Sequence, residues 1–209
     1  MIRILVADDH AILRRGLIHL LSEQTDMSVV GEAQNAGELF TLTRAQVWDI
    51  VILDVAMPGQ NGLEILKQLK NDYPTRPVLM LSAHSEDQYA VRTLKAGASG
   101  YLSKDSIPEE LVKAIRKAVA GGKYVSPRLA EKLADSLLRE TDQLPHETLS
   151  DREFQVFHRL ASGQMVSAIA EEMSLSVKTV STYRTRVLEK MQLQNNAELT
   201  LYAIQHGLL

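Results

Sequence analysis

The chain has 209 residues, a formal net charge of −3, and ordinary globular proportions of hydrophobic (45%) and charged (23%) residues. These proportions exclude a fibrous or disordered protein, and the length suits one domain of about 120 residues followed by a smaller one. Residues 1–122 carry 13 basic and 15 acidic side chains, and residues 146–209 carry 6 and 7. Because neither part is basic overall, a nucleic-acid site would have to depend on local charge.

Two absences limit the environment of the protein. The sequence has no cysteine, which excludes a disulfide framework and thiolate metal sites and is compatible with a reducing cytoplasm. The apolar run at 1–7 is too short for a signal peptide or a membrane span, and no later stretch of about eighteen apolar residues occurs. We therefore expect a soluble, cytoplasmic protein with no membrane partner.

The first half of the sequence alternates short aliphatic runs with amphipathic segments. This alternation is typical of a parallel sheet covered by helices on both faces. The predicted strands lie near 2–7, 28–32, 50–53, 78–81 and 100–102, and the predicted helices at about 10–23, 36–46, 60–71, 87–96 and 107–120. The fold class expected for residues 1–122 is an α/β domain with a five-stranded, parallel, doubly wound sheet of the flavodoxin-like kind.

Only helical patterns follow residue 122. A leucine stripe within 123–145 predicts a linker that contains a helix, and a capping box begins at Ser150 and ends at Glu153. Four short helices are predicted at about 150–162, 166–173, 177–191 and 196–206. Residues 146–209 are therefore expected to form a small all-α domain with a helix-turn-helix.

Side chains capable of chemistry close four of the five predicted strands. They are Asp8, Asp9, Asp54, Ser82, Tyr101 and Lys104. Because ligands of an open parallel sheet bind beyond the carboxyl ends of its strands, these side chains are expected in one crevice. Three carboxylates repel each other unless a cation joins them, and an oxygen-only cluster favours Mg²⁺.

This set of residues suits phosphoryl transfer. With Mg²⁺ screening the charge, Asp54 can attack a phosphoryl donor and form an acyl phosphate. Lys104 would pair with one phosphoryl oxygen, and the Ser82 hydroxyl would donate a hydrogen bond to another.

Each residue also has an ordinary structural explanation. Taken alone, Asp9 or Asp54 is typical of a helix cap or a turn, and Lys104 is typical of a solvated surface lysine. Tyr101 alone is typical of a half-buried packing residue, and Ser82 alone carries almost no information. Their joint position at four strand ends favours the functional interpretation.

These positions resemble the signature of a known family, the receiver domains of two-component response regulators, over about residues 1–122. The motif consists of Asp8-Asp9, Asp54 followed by Met57-Pro58-Gly59 and Gly62, Ser82-Ala83, and Tyr101 with Lys104. The resemblance implies that Asp54 is the phospho-acceptor and that Asp9 binds Mg²⁺ directly and Asp8 through water. It adds the main-chain carbonyl of Ala56 as a third ligand.

The resemblance also implies a switch. Lys104 would contact the phosphoryl group, and Ser82 and Tyr101 would move inward together on phosphorylation. Two positions depart from the common pattern, since Asp105 replaces a frequent proline and Ser82 replaces the commoner threonine. Neither departure removes a group that the chemistry needs.

The second predicted helix of the helix-turn-helix, 177–191, has two contrasting sides. Val180, Val187 and Met191 form a stripe that predicts a core contact with the preceding helix. The opposite side is polar and carries Lys178, Ser181, Thr182, Thr185, Arg186 and Glu189. Residues 176–190 contain four basic residues against one acid, which favours a surface for a DNA major groove. A helix pair alone is equally compatible with a small helical bundle.

Three short motifs favour DNA binding by resemblance. Leu149-Ser-x-Arg-Glu153, Ile169-Ala-Glu and Ser176-Val-Lys-Thr-Val180 resemble the LuxR-type output domain of the NarL/FixJ response regulators over about 146–209. The resemblance makes 177–191 the recognition helix. The predicted DNA-binding residues are Lys178, Thr179, Ser181, Thr182, Thr185, Arg186 and Lys190. Ser181 and Tyr183 replace a frequent lysine and histidine, so the base preference of relatives cannot be transferred.

The two resemblances together imply a phosphorylation-switched transcription factor. A sensor histidine kinase would phosphorylate Asp54, and the change would promote a homodimer that binds double-stranded DNA at promoters. Enzymatic activity would be limited to self-phosphorylation from a donor and slow autodephosphorylation. The C-terminal helix, with Leu199, Tyr202 and Leu208 nearby, is either a dimer surface or part of the core.

Two other functions remain open from the residues alone. A phosphatase of the haloacid dehalogenase kind has a similar set of groups but needs an acid two residues after its nucleophile, where this chain has Ala56. Alternatively, the helical domain binds RNA or protein. Local charge favours DNA, and a steep salt dependence of specific duplex binding would separate the two.

Overall fold

The structure is a computed structural model that describes residues 1–57, 60–82, 88–138 and 144–209. The chain divides into two compact units, Met1–Ser136 and Leu137–Leu209. No helix in the described part of the chain has the length and apolar character needed to cross a membrane.

Strands and helices alternate in the first unit. The strands are β1 (Ile2–Ala7), β2 (Met27–Ala33), β3 (Ile50–Asp54), β4 (Val78–Ser82) and β5 (Gly100–Ser103). The helices are α1 (Ala11–Ser22), α2 (Ala36–Ala45), α3 (Gly62–Asp72), α4 (Gln88–Lys95) and α5 (Ile107–Val119), and a 3₁₀ turn at Lys104–Ser106 precedes α5. These elements confirm the predicted ones, with ends that differ by at most two residues.

All neighbouring strands pair in parallel, in the order β2-β1-β3-β4-β5. This order is that of flavodoxin-like doubly wound sheets, so the predicted fold class is confirmed. The central strands β1 and β3 are almost continuous aliphatic runs because helices cover both faces of the sheet. The strand order reverses between β1 and β3, which opens a crevice beyond their carboxyl ends.

The core of the first unit lies on both faces of this sheet. On one face, alternate side chains of the central strands pack against α1 and α5; they include Ile4, Val6, Ile50, Ile52, Leu17, Leu21, Leu111 and Ile115, all fully buried. Elsewhere in the unit, Trp48, the only tryptophan, is buried and donates from Nε1 to the Thr43 carbonyl at 3.1 Å. Its ring meets Tyr73 edge-on, with centroids 5.2 Å apart.

The first unit continues beyond α5. The Tyr124 amide donates to the Ser99 carbonyl at 2.8 Å, next to Gly100 in β5. A side chain at Gly100 would meet the Tyr124 carbonyl oxygen at 2.8 Å, so only glycine permits this approach. The next helix, α6 (Pro127–Leu138), begins with Ser126 accepting the Leu129 amide at 3.1 Å.

Helices form the second unit. They are α7 (Asp151–Ala161), α8 (Val166–Glu172), α9 (Val177–Met191) and α10 (Asn196–Gln205), after a 3₁₀ turn at Pro145–Thr148. The capping box is present, because Ser150 accepts the Glu153 amide and the Glu153 carboxylate accepts the Ser150 amide. Ser176 caps α9 by accepting the Thr179 amide at 3.0 Å. These helices confirm the predicted all-α domain.

The core stripe predicted for α9 is also confirmed. Val180, Val187 and Met191 are buried. On the preceding helix and its C-terminus, Ile169, Ala170 and Met173 are buried too, and α8 contacts α9. The helix-turn-helix therefore has a defined inner side, and the side that carries Thr182 and Thr185 is exposed.

Candidate functional site

The crevice beyond β1 and β3 contains a buried cluster of two carboxylates and one ammonium. Asp8 and Asp54 are both 0% exposed at the ends of their strands. Lys104, in the 3₁₀ turn after β5, places Nζ 2.8 Å from Asp54 Oδ2 and 2.9 Å from Asp8 Oδ2. The structure thus brings together three of the side chains that the sequence assigned to one edge of the sheet.

Asp9 and His10 complete the cluster on its solvent side. His10 Nδ1 lies 2.8 Å from Asp9 Oδ1 and 3.9 Å from Asp54 Oδ2. Possible ligand atoms of Asp8, Asp9, His10 and Asp54 all lie within 4.8 Å of one another. The sequence-based prediction treated His10, like the other five histidines, as a surface or packing residue, although its position directly after Asp9 at a strand end was an available signal.

The pocket has an unusual electrostatic balance. Burial raises the pKa of Asp54, and the charge and hydrogen bond of Lys104 offset only part of this increase. Burial alone would lower the pKa of Lys104, but attraction to Asp54 and Asp8 and the hydrogen bond to Asp54 raise it overall. Lys104 is therefore held as a cation between two carboxylates.

One oxygen of this pocket is incompletely satisfied. Asp8 Oδ2 is buried and has only the charge contact with Lys104, with no hydrogen bond of good geometry. Lys104 supplies one positive charge to two buried carboxylates, so this oxygen remains costly to bury unless a further cation compensates it. Together with the oxygens of Asp9 and Asp54, it fits a hard divalent ion such as Mg²⁺.

Main-chain amides make several hydrogen bonds within 54–57 and 60–63, at and after the end of β3. The Ala56 amide donates to Asp54 Oδ1 at 3.2 Å, and the Gly62 amide donates to the Val55 carbonyl at 3.1 Å. A side chain at Gly62 would overlap the Asp54 carbonyl, so this position requires glycine. Asn61 caps α3 by accepting the Leu63 amide at 3.0 Å. Pro58, Gly59 and Ala83, which belong to the predicted signature, lie outside the described residues.

Arg14 supports the other side of the pocket. Its Nη1 donates to the main-chain carbonyl of Asp8 at 2.7 Å, and its Nε lies 3.3 Å from the Glu32 carboxylate. The side chain is buried and connects α1 with the ends of β1 and β2. Sequence reasoning missed this contact because nothing local indicates which strand an amphipathic helix will reach.

The remaining predicted receiver residues lie on neighbouring strands. Ser82 ends β4, which pairs with β3 through Asp54 and Leu81, and it is almost fully buried. Tyr101 in β5 is 0% exposed, so its ring lies inside the unit. Ser82 lies on the strand next to that of Asp54, and Tyr101 lies on the strand that leads into Lys104.

The predicted DNA-binding side chains differ in their exposure and in their contacts. Those on the outer face of α9 are exposed: Lys178, Ser181, Thr182, Thr185 and Arg186. Thr179 is half-buried beside the Ser176 cap. Lys190 places Nζ 2.7 Å from the Glu153 carboxylate, which ties it to the capping box of α7. Arg184, to which the sequence assigned no role, donates to Asn196 at 2.7 Å and joins α9 to α10.

A doubly wound domain with this acidic pocket, followed by a helix-turn-helix unit, defines the class of response regulators with a DNA-binding output. The family described as "Response regulator receiver domain" matches residues 4–116. The family described as "Bacterial regulatory proteins, luxR family" matches residues 147–203. The chain belongs to the response regulators of the NarL/FixJ type, and the predicted family is confirmed.

Relatives that match over the whole length of the chain are also response regulators. The response regulator GacA of Pseudomonas protegens is 38% identical over 209 residues, covering 100% of this chain and 98% of GacA. The response regulator UvrY of Escherichia coli strain K12 is 36% identical over 209 residues, covering 100% of this chain and 96% of UvrY.

Solved structures agree as well. RcsB of Salmonella enterica, bound to the promoter rprA in the presence of the phosphomimetic BeF3-, has a TM-score of 0.68 at 25% identity over 96% of this chain and 97% of that one. A two-component response regulator of the LuxR family from Aurantimonas has a TM-score of 0.61 at 36% identity, covering 66% of this chain and 98% of that one. The protein is thus a response regulator, and its control of transcription depends on phosphorylation. The comparisons favour this class over the phosphatase alternative.

Proposed function

We propose that Asp54 accepts a phosphoryl group from a sensor histidine kinase and that this reaction changes how the helix-turn-helix unit binds promoter DNA. The contact of Lys104 with Asp54 and Asp8, at 2.8 and 2.9 Å, carries the proposal. In the transfer, an Asp54 oxygen forms a bond to phosphorus while the bond from phosphorus to the donor breaks. Lys104 already faces the attacking carboxylate, so it can pair with a phosphoryl oxygen without a large movement.

We further propose that Asp8, Asp9, Asp54 and the main-chain carbonyl of Ala56 hold Mg²⁺. When bound, the ion neutralises charge between the carboxylate and the anionic donor. The under-satisfied Asp8 Oδ2 supports this assignment, since a cation would compensate it. The hydrogen bond from the Ala56 amide to Asp54 shows that Ala56 lies beside the acceptor carboxylate.

Ser82 and Tyr101 are the proposed switch. The Ser82 hydroxyl would donate to a phosphoryl oxygen, and Tyr101, already inside the unit, would be stabilised in that position. Ala56 offers only a methyl group two residues after Asp54, so no acid or base stands there to activate water. Autodephosphorylation is therefore proposed to be slow.

The outer face of α9 is the proposed DNA interface. Lys178 and Arg186 would contact phosphates, with Thr179 near the backbone, and Ser181, Thr182 and Thr185 would face base edges. Lys190 remains part of the proposed set, but its ion pair with Glu153 competes with a phosphate contact. These exposed residues belong to 146–209, the proposed output domain, which 123–145 connects to the proposed receiver, 1–122.

A homodimer is proposed to form through α10. Of the apolar residues near this helix, Leu199 and Leu208 are buried and belong to the core, whereas Leu201 and Ile204 are 56% and 63% exposed. An exposed apolar pair on a terminal helix suits pairing with a second copy, which would present two recognition helices to paired half-sites. We propose that the homodimer forms in the cytoplasm, where promoter DNA and the phosphorylated kinase are both present.

The test of the proposed acceptor uses acetyl phosphate and Mg²⁺ with the full-length protein. Intact-mass spectrometry is expected to show one added phosphoryl group, and hydroxylamine should remove it, as expected for an acyl phosphate. Asp54→Asn should abolish the addition. Asp105→Asn, which changes an exposed carboxylate next to Lys104, is the matched control and should keep it. Full labelling of the Asp54→Asn protein would place the acceptor elsewhere.

A further inference from the structure

The base-facing side of α9 carries hydroxyl and methyl groups. Ser181, Thr182 and Thr185 are exposed on the side opposite Val180 and Val187. Arginine and lysine usually read guanine, and asparagine and glutamine read adenine, through paired hydrogen bonds in the major groove. None of these three positions has such a side chain, so recognition there has to use other contacts.

The hydroxyl protons of both threonines are already used. Thr182 Oγ1 donates to the Lys178 carbonyl at 2.9 Å, and Thr185 Oγ1 donates to the Ser181 carbonyl at 3.1 Å. A hydroxyl has one hydrogen, so neither threonine can donate to a base without giving up its bond to the helix backbone. The methyl groups and the oxygen lone pairs remain for an approaching base.

The charges around these threonines are also informative. Lys178 precedes the threonines along the exposed face and Arg186 follows them, whereas Glu189 is an exposed acid further along the same face; the first turn of α9 has no acidic residue. Lys178 and Arg186 suit contacts with phosphates, which leaves the uncharged Ser181, Thr182 and Thr185 for the base edges. Thr182 and Thr185 lie about 4.5 Å apart along the helix axis, about 1 Å more than the rise of about 3.4 Å between adjacent base pairs.

We propose that α9 recognises thymine, with the methyl groups of Thr182 and Thr185 packed against the C5 methyls of thymines at neighbouring base steps. Thymine is the base that presents a methyl group in the major groove, and threonine methyls are a known match for it. This inference rests on the proposed function that α9 binds duplex DNA. It predicts that the half-site contains thymines at neighbouring positions.

The experiment replaces thymine by deoxyuridine, which removes only the C5 methyl. A duplex is first selected from random DNA by the phosphorylated full-length protein, and each thymine of the half-site is then replaced singly. Loss of one buried methyl contact should lower affinity about fourfold at the positions that α9 reads, and should have no effect at thymines outside the half-site.

Matched variants connect each thymine to its threonine. Thr182→Ser keeps the hydroxyl and loses the methyl, so it should bind thymine and deoxyuridine equally at one position. Thr182→Val keeps a methyl and loses the hydroxyl, so it should retain the fourfold difference. The substitutions Thr185→Ser and Thr185→Val should have the same two effects at the neighbouring thymine. Circular dichroism checks that the variants keep their helices.

Two results would overturn the inference, for different reasons. If deoxyuridine has no effect and Thr182→Val loses affinity, the hydroxyls read the bases and the thymine assignment is wrong, although α9 still binds DNA. If Lys178→Ala and the threonine variants all leave duplex affinity unchanged, α9 does not contact DNA, and the proposed interface fails together with the inference.

Discussion

At the scale of single residues, Lys104 determines the electrostatics of the acidic pocket. Its ammonium is the only described side-chain cation within ion-pair distance of Asp54 besides His10, whose ring is charged only when protonated. Asp54 is fully buried, and its pKa is already raised by burial. Removal of the ammonium would take away the main interaction that offsets the cost of burying the charged Asp54 carboxylate.

We therefore expect Lys104→Ala to slow phosphorylation. The pKa of Asp54 should rise further, which lowers the ionised fraction, and the phosphoryl group would lose its cationic partner. The loss of one such stabilising group typically costs on the order of 100-fold in rate. The rate is measured by intact-mass spectrometry during incubation with acetyl phosphate and Mg²⁺. Lys113→Ala, at an exposed lysine on α5, is the control, and equal rates for both variants would exclude Lys104 from the transfer.

A second residue-scale prediction concerns acid stability. Asp49 accepts three hydrogen bonds from the amide and guanidinium of Arg3. These hydrogen bonds, with the nearby charge, lower the pKa of Asp49 to about 2. Because the folded pKa lies below the unfolded value near 3.9, the pair stabilises the fold above that pH. The stabilisation is lost as the pH falls from about 4 to 2.

Asp49→Asn should thus lower the free energy of unfolding at neutral pH, by up to about 1 kcal/mol given the partial exposure of the pair. The difference from the wild type should shrink between pH 4 and pH 2. Urea unfolding followed by the fluorescence of buried Trp48 reports on this unit. Asp72→Asn, at an exposed carboxylate, is the control, and its difference from the wild type should not change between pH 4 and pH 2. If the free energy of unfolding of Asp49→Asn differs from that of the wild type by the same amount at every pH, the pKa assignment is wrong.

At the scale of elements, the sequence predicted the sheet because buried parallel strands have a simple pattern. The run Ile50–Leu53 is continuously aliphatic and is followed by Asp54. Its burial and the acidic residue at its carboxyl end can therefore both be predicted from the local sequence. The same reasoning placed Asp8 and Lys104 in one crevice, because strand ends at one edge converge wherever the strand order reverses.

What could not be predicted depends on contacts between distant segments. Sequence spacing does not show that Lys190 pairs with Glu153, 37 positions away, or that Arg184 reaches Asn196. The C-terminal helix is apolar on more than one side, and only packing decides that Leu199 is core while Ile204 is exposed. Local patterns determine the secondary structure, and tertiary contacts determine which polar and apolar groups remain available.

The ion pair of Lys190 leads to a prediction about α9. Lys178 is exposed near the start of the helix, whereas Lys190 is tied to Glu153 near its end. Lys178→Ala should weaken binding to all duplexes alike and reduce the slope of log affinity against log salt by about 1, as expected for one lost phosphate contact. Lys190→Ala should change the slope less. Thr182→Ala should change sequence preference, and equal effects of Lys178→Ala and Thr182→Ala on all sequences would contradict this orientation of the helix.

At the scale of the whole molecule, phosphorylation in one unit has to change DNA binding by another. A second copy of the chain offers a physical route, because two weakly binding recognition helices gain affinity when they are held together on paired half-sites. In this arrangement the receiver needs only to favour association, and it need not change the shape of α9. The exposed Leu201 and Ile204 on α10 provide the surface where the output domains would meet.

Ile204→Arg tests this route, because it places a charge in the proposed contact without disturbing a buried residue. Affinity of the phosphorylated protein for two half-sites one helical turn apart should fall by about 100-fold or more, while affinity for a single half-site should stay the same. Sedimentation velocity should show the variant as a monomer at concentrations where the phosphorylated wild type is a dimer. Gln205→Arg introduces the same charge at the adjacent exposed position and controls for general electrostatic effects. If Ile204→Arg still binds paired sites as tightly as Gln205→Arg does, the dimer forms through another surface, and α10 has no part in transmitting the phosphorylation signal.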